Sequence, residues 1–64
     1  MNVNNEVLVN RVKQFTDELG IPYSAFARNV GLSAVTIYKW ISRHIDLSEK
    51  VLKRISEYLN RYNF

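Results

Sequence analysis

Phe26 to Trp40 reads FARNVGLSAVTIYKW. Two apolar patterns of helical period meet there at a glycine. Phe26, Ala27 and Val30 share one helical face, and small Ala27 lets a second helix approach closely. Gly31 stops the first helix, because glycine accepts the left-handed backbone conformation common just past a helix end. Leu32 follows as a buried plug. Ser33 is placed to cap the next helix, its hydroxyl accepting from a free amide two or three residues on. Ile37, Trp40 and Ile41 then return at helical spacing. The stretch has the form of a helix, a sharp turn and a second helix.

The flanking segments extend this to an all-α chain. Asn4 or Asn5 caps a first helix over about 5–19, with Glu6 at its positive end and residues 1–4 as a loose terminus. Leu8, Val12, Phe15 and Leu19 form its inward stripe, and Arg11 falls with the charged residues on the wet side. Val9 lies off that stripe, as a lone surface valine or a contact with another chain. Gly20-Ile21-Pro22 breaks the helix, and Pro22 suits the first turn of a second one over about 22–30. A third spans about 34–42, with Ile37, Trp40 and Ile41 inward and Ala34, Val35, Tyr38, Lys39 and Ser42 outward. Arg43 to Leu47 is a loop. Asp46 or Ser48 caps a fourth helix over about 49–60, with Val51, Leu52, Ile55 and Leu59 inward. The expected fold is a compact four-helix domain over residues 1–64, containing a helix-turn-helix.

Composition narrows the class. Sixty-four residues make one small domain, whose core is marginal. With no cysteine there is no disulfide framework and no thiolate metal site. No apolar run approaches the roughly 20 residues that span a membrane. The N-terminal MNVNNEVLVN lacks a basic region followed by an apolar core, so a cytoplasmic protein is expected. The formal charge is +3, from nine Lys and Arg against six Asp and Glu. Lys39, Arg43, His44, Lys50, Lys53 and Arg54 crowd the second half, which suits a polyanion. No cysteine nucleophile, second histidine or evident inward carboxylate pair is present, so no enzyme, cofactor or metal is expected.

On Phe26-Ala27, Val30-Gly31-Leu32-Ser33, Thr36-Ile37 and Trp40, the chain resembles the Cro/CI-type (XRE-like) helix-turn-helix domains of phage and bacterial repressors. The resemblance spans roughly residues 6 to 60, its specific part being the fifteen residues 26–40. It implies a lambda-repressor-like fold and double-stranded DNA as partner, with the third helix in the major groove. The base-contact candidates are then Ser33, Ala34, Val35, Tyr38 and Lys39. Val35 can meet a thymine methyl and Lys39 a guanine edge, while this third helix has no Gln or Asn to read adenine bidentately. Tyr23, Ser24, Arg43, Lys50 and Lys53 are the phosphate-contact candidates, with Arg54 and His44 behind them. A ring capping the core is an equally good reading of Tyr23. Trp40 is expected in the core, and its truncation to alanine to cost about 3–5 kcal/mol.

The sequence departs from the family in two places. The family commonly has an acidic residue after the Trp40 position that ties the following loop, then a glycine nearby. Here Ile41, Ser42 and Arg43 follow. The family also usually continues into a fifth helix. A minimal Cro-like protein and the DNA-binding part of a longer one both fit. Two copies would read half-sites about 34 Å apart, with Val9, Tyr58, Tyr62 and Phe64 as candidate homodimer contacts. Two other readings stay open. One is an antirepressor-like module that docks a repressor protein through Val35, Tyr38 and Ile41. The other is an excisionase-like architectural factor.

Overall fold

The computed structural model describes residues 4–64. Of the terminus expected to be loose, residues 1–3 lie outside the described part, and Asn4 is the N-cap of the first helix. Its side-chain oxygen accepts from the Val7 N–H at 2.8 Å. Four helices follow: α1 Asn5–Leu19, α2 Tyr23–Asn29, α3 Ala34–Ile41 and α4 Glu49–Asn60. The middle two are shorter than the sequence predicts. Pro22 has an extended ψ of 151° and precedes α2 as its cap, so its carbonyl receives the first helical bonds from Ala25 and Phe26. Val30 and Ser42 close α2 and α3 as C-caps. Ser48, not Asp46, caps α4, accepting from the Val51 N–H at 3.4 Å.

The core is built from one face of each helix. Leu8, Phe15, Phe26, Ile37, Trp40 and Ile55 are fully buried, with Val12, Leu52 and Leu59 around them. Two expectations on α1 are corrected. Val9 is buried, at 2% exposure, and is neither a surface valine nor a contact point. Packing of α1 against both α3 and α4 explains this, since a helix with two partners buries a wider arc than one stripe. Leu19 is 49% exposed. It lies on the correct face, but in the last turn of α1, beyond the packed part of the core. Thr16 is buried instead, its hydroxyl donating to the carbonyls of Val12 (3.0 Å) and Lys13 (3.1 Å).

Arg11 also leaves the wet side. It is half-buried, with Nε donating to the Phe64 carbonyl at 2.7 Å and Nη2 to the Asn60 side chain at 2.8 Å. The C-terminal residues are thereby held against α1. The Phe15 ring meets Tyr58, Tyr62 and Phe64 at centroid distances of 5.7, 5.4 and 5.2 Å. Tyr58 and Phe64 are therefore part-buried core partners, and of the four residues expected at a dimer contact only Tyr62, at 49%, is exposed. Ile41 is half-buried at the edge of α3.

All four helices end in the same way. A residue of positive φ follows each, and the next amide reaches back five residues. The residues are Gly20 (65°), Gly31 (76°), Arg43 (67°) and Asn63 (62°). The closing bonds are Ile21 to Thr16, Leu32 to Ala27, His44 to Lys39 and Phe64 to Leu59, at 2.8–3.0 Å. This is the Schellman arrangement, which usually adds an apolar contact from the residue after the turn. Ile21, Leu32 and Phe64 supply it, packing on the core. His44 is exposed and does not.

Candidate nucleic-acid interface

The α2–turn–α3 unit positions the candidate site. Gly31 at φ 76° has a backbone that L side chains rarely adopt, and it turns the chain within residues 30–33. The Ser33 hydroxyl accepts from the Thr36 N–H at 3.1 Å and donates to Thr36 Oγ1 at 2.8 Å. It caps α3, with its proton given to Thr36 and a second lone pair left free at the exposed start of the helix. Ile37 and Trp40 anchor the opposite face in the core.

Val35, Tyr38 and Lys39 therefore project to solvent from α3. Val35 is 62% exposed and Tyr38 50%, Lys39 is exposed beside them, and Ala34 is half-buried at the margin. A helix of a soluble domain usually places charge on such a face. Here one cation stands among apolar and aromatic surface. The Tyr38 ring also meets Tyr23 edge to face, with centroids 5.9 Å apart and planes at 79°. Tyr23 is thus a half-buried ring at the start of α2, and it supports the outward face of α3. Ser24 next to it is exposed, and Pro22 brings no side-chain cap to that helix start.

The basic candidates divide. Arg43, Lys50 and Lys53 are exposed, Arg43 just beyond α3 and the lysines on the outer face of α4. His44 is exposed in the loop. Arg54 is exposed as well, but its Nη1 donates to the Val30 carbonyl at 3.2 Å.

The sequence reading missed the tie of the α3–α4 loop. Asn5 Oδ1 accepts from Trp40 Nε1 and from the Leu47 N–H, both at 2.8 Å. Its Nδ2 faces the Leu47 carbonyl at 3.4 Å. A neutral amide from α1 thus does what the family's acidic residue does, and it also satisfies the buried indole. A single sequence carries no signal for this, since Asn5 lies 35 residues from Trp40 and resembles a second capping residue. Arg43, among the three residues that stand where the family's acidic residue and nearby glycine are expected, is left-handed at φ 67°.

Among the described residues no helix is long and apolar enough to cross a membrane, and no group of His, Cys, Asp or Glu could hold a metal ion. No curated protein and no solved structure shows a significant match. A family model described as helix-turn-helix, HTH_3, matches residues 12–63. That range contains α2, the turn, α3 and α4 whole, and most of α1. With its four helices and its turn, the chain belongs to the HTH_3 helix-turn-helix family, the Cro/CI-type (XRE-like) domains of DNA-binding regulators.

Proposed function

We propose that this chain is a cytoplasmic transcriptional regulator of a phage or bacterium, binding specific double-stranded DNA with α3 in the major groove. The observation that carries the reading is the outward face of α3. Val35, Tyr38 and Lys39 project together from a helix whose other side is fixed by Ile37 and Trp40. Val35 meets a thymine methyl and Lys39 donates to a guanine edge. Ala34 lets the helix approach closely, and Ser33 and Tyr38 contact base edges at the rim. Exposed Arg43, Lys50 and Lys53, with Tyr23 and Ser24 at the start of α2, hold the phosphates and set the register. With Lys39 as the one charged donor on this face, sequence preference rests in part on DNA shape.

The test is fluorescence anisotropy on random duplex DNA across a salt series. Binding should appear at about 50 mM salt and fall steeply as salt rises, since phosphate contacts release counterions. Lys39→Ala should weaken it several-fold without loss of helicity. Binding that is absent at low salt would reject the reading. It would favour the second one, an antirepressor-like module docking a repressor protein, for which the exposed Val35 and Tyr38 speak directly.

A further inference from the structure

The helices form two packed pairs, α2 with α3 and α1 with α4. On the reading above, the first pair carries the base-contacting face and the second carries Lys50 and Lys53. DNA register then depends on how one pair is held against the other. Two side chains of α4, one turn apart, make that link at the end of α2. Arg54 Nη1 donates to the Val30 carbonyl at 3.2 Å. The same nitrogen lies 3.3 Å from where a Cβ on Gly31 would stand, so the guanidinium sits beside the exposed glycine of the turn. A cation beside the last carbonyls of a helix is also favoured by the helix dipole. Tyr58 supplies the second link. Its hydroxyl accepts from Asn29 Nδ2 at 3.1 Å, and its ring is wedged between Phe15 and Phe26 at 5.7 and 5.5 Å. Asn29 and Val30 are the last residue of α2 and its C-cap, directly before the turn into α3.

We propose that Arg54 and Tyr58 are positioning residues for DNA recognition, bracing the turn so that the α3 face and the α4 lysines meet one duplex in a fixed register. The proposal rests on the DNA-binding reading and assigns Arg54 a role other than phosphate contact. A brace and a phosphate ligand behave differently. Loss of a phosphate ligand weakens binding to every duplex and lowers the salt slope by about 0.9. Loss of a brace leaves each phosphate contact available but spoils the simultaneous fit, so it acts on the preferred sequence.

The native chain is first used to select a preferred duplex from a random library. Arg54→Met, which keeps the apolar stem, and Tyr58→Phe, which keeps the ring, are then compared with Lys53→Met. Each is checked for helicity and thermal midpoint. Arg54→Met should lose about tenfold on the selected duplex. On random duplex it should stay within about twofold of the native chain, with an unchanged salt slope. Tyr58→Phe should act in the same direction, and Arg54→Lys should recover part of the loss. Lys53→Met should weaken both duplexes and lower the slope. Equal loss on both duplexes with a lower slope for Arg54→Met would overturn the proposal, as would unchanged binding in both Arg54→Met and Tyr58→Phe. Should Arg54→Met fail to fold, Tyr58→Phe decides alone. A native chain that binds no duplex overturns the DNA reading itself, and this is seen before any variant is compared.

Discussion

Asn5 and Arg43 show what single residues decide here. Asn5 receives two donors, the Trp40 indole and the Leu47 amide, on one oxygen. Its replacement by alanine leaves both without their acceptor. An unsatisfied buried donor costs about 1–3 kcal/mol, and Asn5 is only half-buried, so the lower part of that range applies to each. Asn5→Ala should therefore destabilise the domain by about 2 kcal/mol, read from urea denaturation. Asn5→Asp keeps the acceptor, gives up only the long contact to Leu47, and should lose much less. A finding that the two variants are equally unstable would mean the amide nitrogen holds the loop. Arg43 is the opposite case, a residue at odds with its backbone. A left-handed conformation costs a non-glycine residue about 1–2 kcal/mol. Glycine returns about 0.4–1 kcal/mol of that through the freer unfolded chain. Arg43→Gly should thus raise stability by about 0.5–1 kcal/mol. If Arg43 holds a phosphate, the same change lowers the salt slope of DNA binding by about 0.9. A stabler protein with weaker binding would show why arginine stands where glycine is easier.

At the scale of elements, the turn and the caps were legible in the sequence because their signals are local. Gly31, Ser33 and the Ile37/Trp40 spacing act within a few residues of one another, and the structure puts each in the expected role. Errors arose where a helix's surroundings decide. Val9 and Leu19 have periodicities that say nothing of how many partners α1 has or where its packing ends. Arg11 looks like a surface charge until a carbonyl 53 residues away is brought beside it, and exposed Arg54 bonds a carbonyl 24 residues away that no local pattern announces. The candidate interface was legible as an outward helical face, while the Tyr23–Tyr38 pair was not, since it joins two helices. Helix α4 offers a test at this scale. Burial among Phe15 and Phe26 pushes the Tyr58 hydroxyl above its ordinary value of 10, and Tyr62 adds to this against the opposing hydrogen bond from Asn29. The folded state therefore holds that proton more tightly than the unfolded one. Its contribution to stability is fully present below about pH 10 and is lost as pH rises through the raised folded value. Denaturation midpoints followed above pH 10 should fall less for Tyr58→Phe than for the native chain. Parallel curves would place the alkaline loss elsewhere.

The described part of the molecule measures 27 × 25 × 18 Å along its principal axes. Half-sites one helical turn apart on one face of a duplex are separated by about 34 Å. On the proposed DNA-binding reading, one recognition helix on a molecule of these dimensions serves one half-site, and a palindromic operator takes two copies. The surface for pairing is not the one the sequence suggested. Val9 is inside, and Tyr58 and Phe64 are packed against Phe15. Among the described residues, the large apolar side chains exposed away from α3 are Val7, Leu19, Ile45 and Tyr62. Single exposed apolar residues are ordinary on a monomer surface, and these four do not by themselves make a pairing surface. Association is then expected on DNA rather than in free solution. Sedimentation at micromolar concentration should give a monomer. An inverted repeat spaced by about 10 base pairs should bind two molecules. Shifting one half-site by about 5 base pairs, which rotates it to the opposite side of the duplex, should leave two independent events of equal affinity. A dimer already present without DNA would require a pairing surface larger than these residues form, and equal behaviour of both spacings would mean that each molecule reads its half-site alone.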